Sequence, residues 1–188
     1  MLKAVFGGSQ VRPLLVVGLV AGLVANQTAT ARPWKPTPQQ QTQDYSTITH
    51  NKGTPGGRVV INWIAAPAFT GSLPLILEKY VVLSVTHTVT APGGLQEYQD
   101  IEGLQVTDQE GHALKEVDQN DIPPTIVSIL AALEATVRQS TQGKGKLKNL
   151  VFEAGAVHAC TKNSGLVVAF EGEKYTWDTP MPGCPASQ

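Results

Sequence analysis

Only two cysteines, Cys160 and Cys184, occur in the chain, with no C-x-x-C pair, and its four histidines form neither an H-x-x-x-H nor an H-x-H arrangement. Those absences remove the usual signatures of zinc ribbons, thioredoxin-like redox pairs and helix-borne metal sites. Charge is scarce as well: 15% of residues are charged and the formal net charge is -1, against roughly 25% charged in an average globular protein. Without a basic excess to displace counterions from phosphates, nucleic acid is not an expected partner. No phosphate-cradling glycine loop stands out, and Ser164, in Asn163-Ser164-Gly165, lacks the flanking glycines of a nucleophile elbow. Its neighbours Lys162-Asn163-Ser164-Gly165 read instead as a hairpin turn.

What is present at the N-terminus is an export signal. Lys3 and Arg12 precede an apolar run from Pro13 to Ala25, about 13 residues, within the 7 to 15 of a signal-peptide core. A permanent helical span needs roughly 20 residues. Ala29-Thr30-Ala31 matches the small-x-small form of a peptidase site, so residues 1–31 are read as a signal peptide cleaved after Ala31. The alternatives are an uncleaved anchor and a buried core helix. Cleavage removes Lys3 and Arg12 from 14 basic residues and none of the 15 acidic ones, leaving 12 against 15, a net of -3. Membrane contact is expected only through the N-terminal segment before cleavage.

Residues 32–57 are rich in Pro, Gln, Thr and Gly, with Trp34, Tyr45 and Ile48 as the sizeable apolar side chains. That is too little burial to offset backbone ordering, and the segment is read as a disordered tether. A single β-rich domain is expected over 58–188. Its first strand is Val59 to Ile64, a short apolar run between Gly-Gly and Ala-Pro, and the segment from Ala65 to Leu77 reads as a loop with one turn of helix. The clearest strand spans Val81 to Thr90: Val81, Leu83, Val85, His87 and Val89 point one way, while Val82, Ser84, Thr86, Thr88 and Thr90 form a largely polar face. Further extended segments are read at Gln96 to Thr107, Ala113 to Val117, Leu147 to Glu153, Leu166 to Phe170 and Tyr175 to Trp177.

One helix interrupts this pattern, over about 122–139. Asp121 is placed to cap it, and Ile122, Ile126, Ile129, Leu130, Leu133 and Val137 recur at helical spacing. Glu134 and Arg138 stand four apart as a surface pair. The pattern predicts a mainly β protein: an antiparallel β-sandwich, of which the immunoglobulin-like arrangement is one form, with one inserted α-helix. The alternative is an α+β fold with an open antiparallel sheet. The stretch Val106 to Leu114 resembles the turn-bearing strand pairs of bacterial immunoglobulin-like modules; the pattern is widespread and names no family.

Two cysteines downstream of an export signal predict a Cys160–Cys184 disulfide. Closing a loop of about 24 residues destabilises the unfolded chain by roughly 3 kcal/mol on the entropic account, and pins the Trp177 segment to the Cys160 strand. The functional alternative is a redox-active or metal-binding pair.

His87 faces the core by alternation, as a hydrogen-bonded imidazole or one ligand of a site assembled in three dimensions with His158; His50 and His112 read as solvated. Asp108 with Glu110, and Glu171 with Glu173, are carboxylate pairs of a kind common on exposed turns. Lys144, Lys146 and Lys148 share one face near Arg138 if extended, as an anion-attracting patch or as charges that blunt a sheet edge. Tyr175 and Trp177 read as a binding platform or as a lid on the core. No catalytic residue, metal site or cofactor is expected. The functional expectation is an exported, non-enzymatic binding or structural domain, periplasmic or extracellular. The alternatives are a small exported hydrolase or metal-dependent enzyme built on His87 and His158, and an envelope protein held by an uncleaved anchor.

Overall fold

The computed structural model describes Thr37, residues 44–51 and residues 56–185, with the backbone alone for 48–51. The signal segment 1–31, Trp34 and most of the tether lie outside the described residues. In chain order the elements are β1 (Ser46–Asn51), β2 (Gly57–Trp63), a 3₁₀ turn (Ala66–Ala68), α1 (Leu73–Leu77), β3 (Tyr80–Thr90), β4 (Gln96–Gln99), β5 (Gln105–Asp108), a second 3₁₀ turn (Gln119–Asp121), α2 (Pro124–Ser140), β6 (Lys148–Glu153), β7 (Leu166–Phe170) and β8 (Glu173–Thr176).

The protein is mainly β, and its described strands pair antiparallel in two sheets. β3 organises the larger sheet because it is long enough to take two partners on one side. β6 pairs with its first half, Tyr80 to Val85, and β4 with His87 to Thr90. β2 runs along its other side and β1 lies outside β2. The smaller sheet has the order β5-β7-β8. Inward side chains of both sheets, among them Ile61, Leu83, Val85, Leu166 and Val168, meet in one core with no exposed surface. Burial of each such side chain contributes about 2 kcal/mol.

The face of β3 predicted to be largely polar is not open. Val82 is fully buried and packs with Val151 of β6 beneath Ile126 and Leu130 of α2. Alternation along one strand carries no record of a helix that arrives some 40 residues later. Ser84, also buried, compensates by donating to Asn149 Oδ1 at 3.0 Å. It belongs to a row of polar side chains, Ser46, Asn62, Ser84 and Asn149, that the register aligns across β1, β2, β3 and β6.

Order begins earlier than Arg58. β1 falls within the segment read as a tether, in register from Ser46 opposite Asn62 to Asn51 opposite Gly57. Its hold comes from backbone pairing with β2 and from Tyr45, 4% exposed; neither registers in composition. Three further expectations change. Ala113 to Val117 forms no strand and touches its neighbours through isolated bridges, Thr107 to Ala113 and Glu116 to Phe152. α2 starts at Pro124 with Pro123 at its N-cap and no side-chain cap, so Asp121 does not cap it; Asp118 instead caps the preceding 3₁₀ turn, accepting from Asn120 N–H at 2.9 Å. Lys162 to Gly165 does not close a hairpin, since β6 and β7 belong to different sheets. The hairpin is β7–β8, turned by Glu171 (φ 50°) and Gly172 (φ 80°), the positive-φ pair that a two-residue turn of right-handed twist demands.

Candidate functional site

The sequence-predicted residues converge most densely at the C-terminal end of the chain. The structure joins Cys160 to Cys184, with sulfurs 2.13 Å and Cα atoms 5.3 Å apart. The segment that follows β8 is thereby fastened over the loop preceding β7. Met181 N–H donates to Ala159 O at 2.8 Å and Ser164 N–H to Thr179 Oγ1 at 3.1 Å. Trp177 and Tyr175 are 4% and 3% exposed, so they form a lid on the core and not a platform. Trp177 meets Trp63 edge-on at 6.1 Å, and its indole N–H donates to Tyr45 O at 3.2 Å. The Tyr45 hydroxyl in turn donates to Pro182 O. Burial, and then the negative charge of Asp44, push the Tyr45 phenol well above its ordinary value, which keeps it a donor. Tyr45 and Met181 are the residues of this region that pattern reading misses; a lone aromatic in a polar segment is the only signal for the first.

His158 is half-buried beside the bridge, where its Nδ1 accepts from Cys160 N–H at 3.2 Å. That bond places the imidazole proton on Nε2 when the ring is neutral. A small recess there is lined by Tyr80 and Val81 at the start of β3 together with His158 and Cys160. His87 lies six residues further along β3 than Val81, roughly 20 Å at strand spacing. It is 4% exposed and set edge-to-face against Phe170, with centroids 5.5 Å apart. Neither ring nitrogen has a hydrogen-bond partner among the described residues. Thus His87 faces the core as read, but without the hydrogen bond expected for it, and the structure does not bring it to His158. The side chain of His50 lies outside the described residues; its backbone is in β1.

Among the described residues, Asp108, Glu110 and His112 present ligand-type atoms within 4.8 Å of one another. Their arrangement is that of a self-satisfied turn. Asp108 Oδ1 accepts from the Glu110 and His112 N–H groups, each at 2.9 Å, and Oδ2 lies 3.0 Å from His112 Nδ1. Burial raises the Asp108 carboxyl, but the backbone and side-chain hydrogen bonds and the charge of His112, with the Glu110 N–H, outweigh it and hold it below its ordinary value. His112 is raised, first by its hydrogen bond to Asp108 and by that carboxylate's charge, with Glu110 adding to both. His112 is solvated, as read, yet engaged.

Two of the three lysines of the row find partners in the fold, and Lys144 is exposed. Lys146 Nζ donates to both carboxylate oxygens of Asp100 at 2.9 Å, and Lys148 Nζ donates to Ile101 O at 2.8 Å. Together they stitch the segment after β4 to the start of β6, the junction where two strands share one side of β3. Arg138 pairs with Glu134 at 2.5 Å, as the i, i+4 spacing predicts. Ser164 engages through its backbone, with N–H to Thr179 and O to His158 N–H. Among the described residues, no helix is long and apolar enough to cross a membrane. No protein-family model, curated protein or solved structure matches this chain.

Proposed function

We propose that this chain is an exported domain that works by binding or as a structural module in a periplasm, an envelope or an extracellular space. The observation that carries the proposal is the Cys160–Cys184 bridge. Disulfides persist in oxidising compartments, where a small domain benefits from the loss of unfolded-state freedom. The apolar run from Pro13 to Ala25, followed by Ala29-Thr30-Ala31, supplies the route there. The non-enzymatic part of the reading is supported by the separation of His87 from His158 and by the burial of Tyr175 and Trp177. It is supported too by the hydrogen bond of Lys148 to Ile101 O and by the surface pair of Lys146 with Asp100. Asp108, His112, His158, Lys146 and Lys148, which suggested chemistry or ligand capture, are engaged in hydrogen bonds within the fold, and His87 is buried in the core.

The test is the intact mass of the protein from exported fractions of its native host, with and without reduction and alkylation. A mass starting at Arg32, with both thiols protected until reduction, is expected. A full-length mass or two free thiols overturns the proposal.

A further inference from the structure

Among the described residues, β1 is the outermost strand of its sheet and pairs on one side only, with β2. Its sequence, Ser-Thr-Ile-Thr-His-Asn, is mostly polar, and the neighbouring Tyr45, 4% exposed, is the buried apolar anchor among the described side chains at this end. Tyr45 is held from the opposite terminus: its hydroxyl donates to Pro182 O, and its carbonyl accepts from Trp177 Nε1. Pro182 sits between Met181, buried, and Cys184, bridged to Cys160. Both cysteines are partly exposed, and so within reach of a small thiol.

We propose that Cys160–Cys184 is a latch on β1: its reduction by a dithiol frees the strap of residues 178–185, Tyr45 loses its acceptor, and β1 leaves the edge of β2 while the core between the two sheets stays folded. The exchange is balanced. The reductant's two thiols become its own disulfide, the Cys160–Cys184 bond breaks, and two electrons and two protons pass to the two Sγ atoms. The strap then keeps the burial of Met181 and the hydrogen bonds of Met181 to Ala159, Ser164 to Thr179 and Cys184 Sγ to Ala159 O, without the covalent tie. The thiol state thereby decides whether the backbone edge of β2 is covered or open.

Hydrogen exchange of the full chain, oxidised and after dithiothreitol, tests this. Backbone amides of β1 are expected to exchange on the order of 10-fold faster after reduction, the factor set by losing the Tyr45 hydrogen bond, while β3 and β7 keep their protection. Unchanged protection of β1 overturns the latch, and so does an equal loss across all strands, which marks the bridge as a global staple. In the oxidised protein, Tyr45→Phe removes the relay without touching the bridge. Faster exchange confined to β1 is expected of it, and protection equal to the parent's overturns the relay through Pro182.

Discussion

His87 and Phe170 meet edge to face across the two sheets, with their ring planes at 84°. The imidazole is 4% exposed and neither of its nitrogens has a partner among the described residues. A buried polar group left in that state costs about 1 to 3 kcal/mol relative to an apolar group of the same shape. His87→Phe keeps an aromatic pair with Phe170 and removes the cost. Urea unfolding is expected to show a gain of about 1 kcal/mol, with His87→Leu as the control for the added ring volume. A loss of that size in both variants shows that the nitrogens are stabilising and refutes this account.

The Asp108–His112 pair makes the turn after β5 pH-dependent, and the sign follows from the directions of the two shifts. His112 is raised above 6.5 by the Asp108 carboxylate, so its contribution is complete below 6.5 and is lost as pH rises through the raised value. Asp108 is held below 3.8 by the hydrogen bonds it accepts; its contribution is present above 3.8 and is lost as pH falls through the lowered value. Both act between these limits. An NMR titration of His112 is expected to give a midpoint above 6.5 in the parent and one closer to 6.5 in Asp108→Asn, which keeps an acceptor for the two N–H groups. Identical midpoints would show that the carboxylate does not act on the imidazole.

The β segments whose periodicity is strong and local are readable from sequence. β7 lies where its apolar run lies, Leu166 to Phe170, and β3 starts one residue before its alternating stretch. The Cys160–Cys184 bridge was legible because no other cysteine competes for either partner. What was not legible is set by contacts between distant segments. Nothing near Val82 indicates that Ile126 will cover it, and nothing near Tyr45 indicates that the Pro182 carbonyl will accept its hydrogen bond. The division into two sheets depends on which partner each strand finds, so the turn at Lys162 to Gly165 looked like a hairpin while joining strands that never pair. The candidate site follows the same rule. Its covalent bond could be read from residue types, but the strap it fastens and the strand that strap holds could not.

Lys146 and Lys148 are two residues apart and chemically identical, yet the structure predicts different costs for losing them. Lys148 is half-buried and its Nζ donates to Ile101 O, the carbonyl of a residue 5% exposed. Lys146 meets Asp100 on the surface, where the two side chains are 51% and 77% exposed and solvent screens the pair. Lys148→Met is expected to cost about 1 to 2 kcal/mol through the carbonyl left behind. Lys146→Met should cost less than about 0.5 kcal/mol. Chemical denaturation of both variants decides between this and an exposed anion patch, for which the two losses would be equal and small.

Gly165 tests the seam between β7 and the C-terminal strap. A Cβ at this position would stand 2.4 Å from the carbonyl oxygen of Trp177 and 2.6 Å from Gln109 Nε2. The glutamine can turn aside, but Trp177 cannot: its ring is 4% exposed against Trp63 and its N–H donates to Leu166 O. Gly165→Ala therefore forces backbone apart at the point where the strap begins, a form of overpacking that costs about 1 to 3 kcal/mol. Thermal unfolding is expected to place the midpoint of Gly165→Ala well below the parent's. Equal midpoints would mean that the close approach of Trp177 O to Gly165 does not constrain the fold.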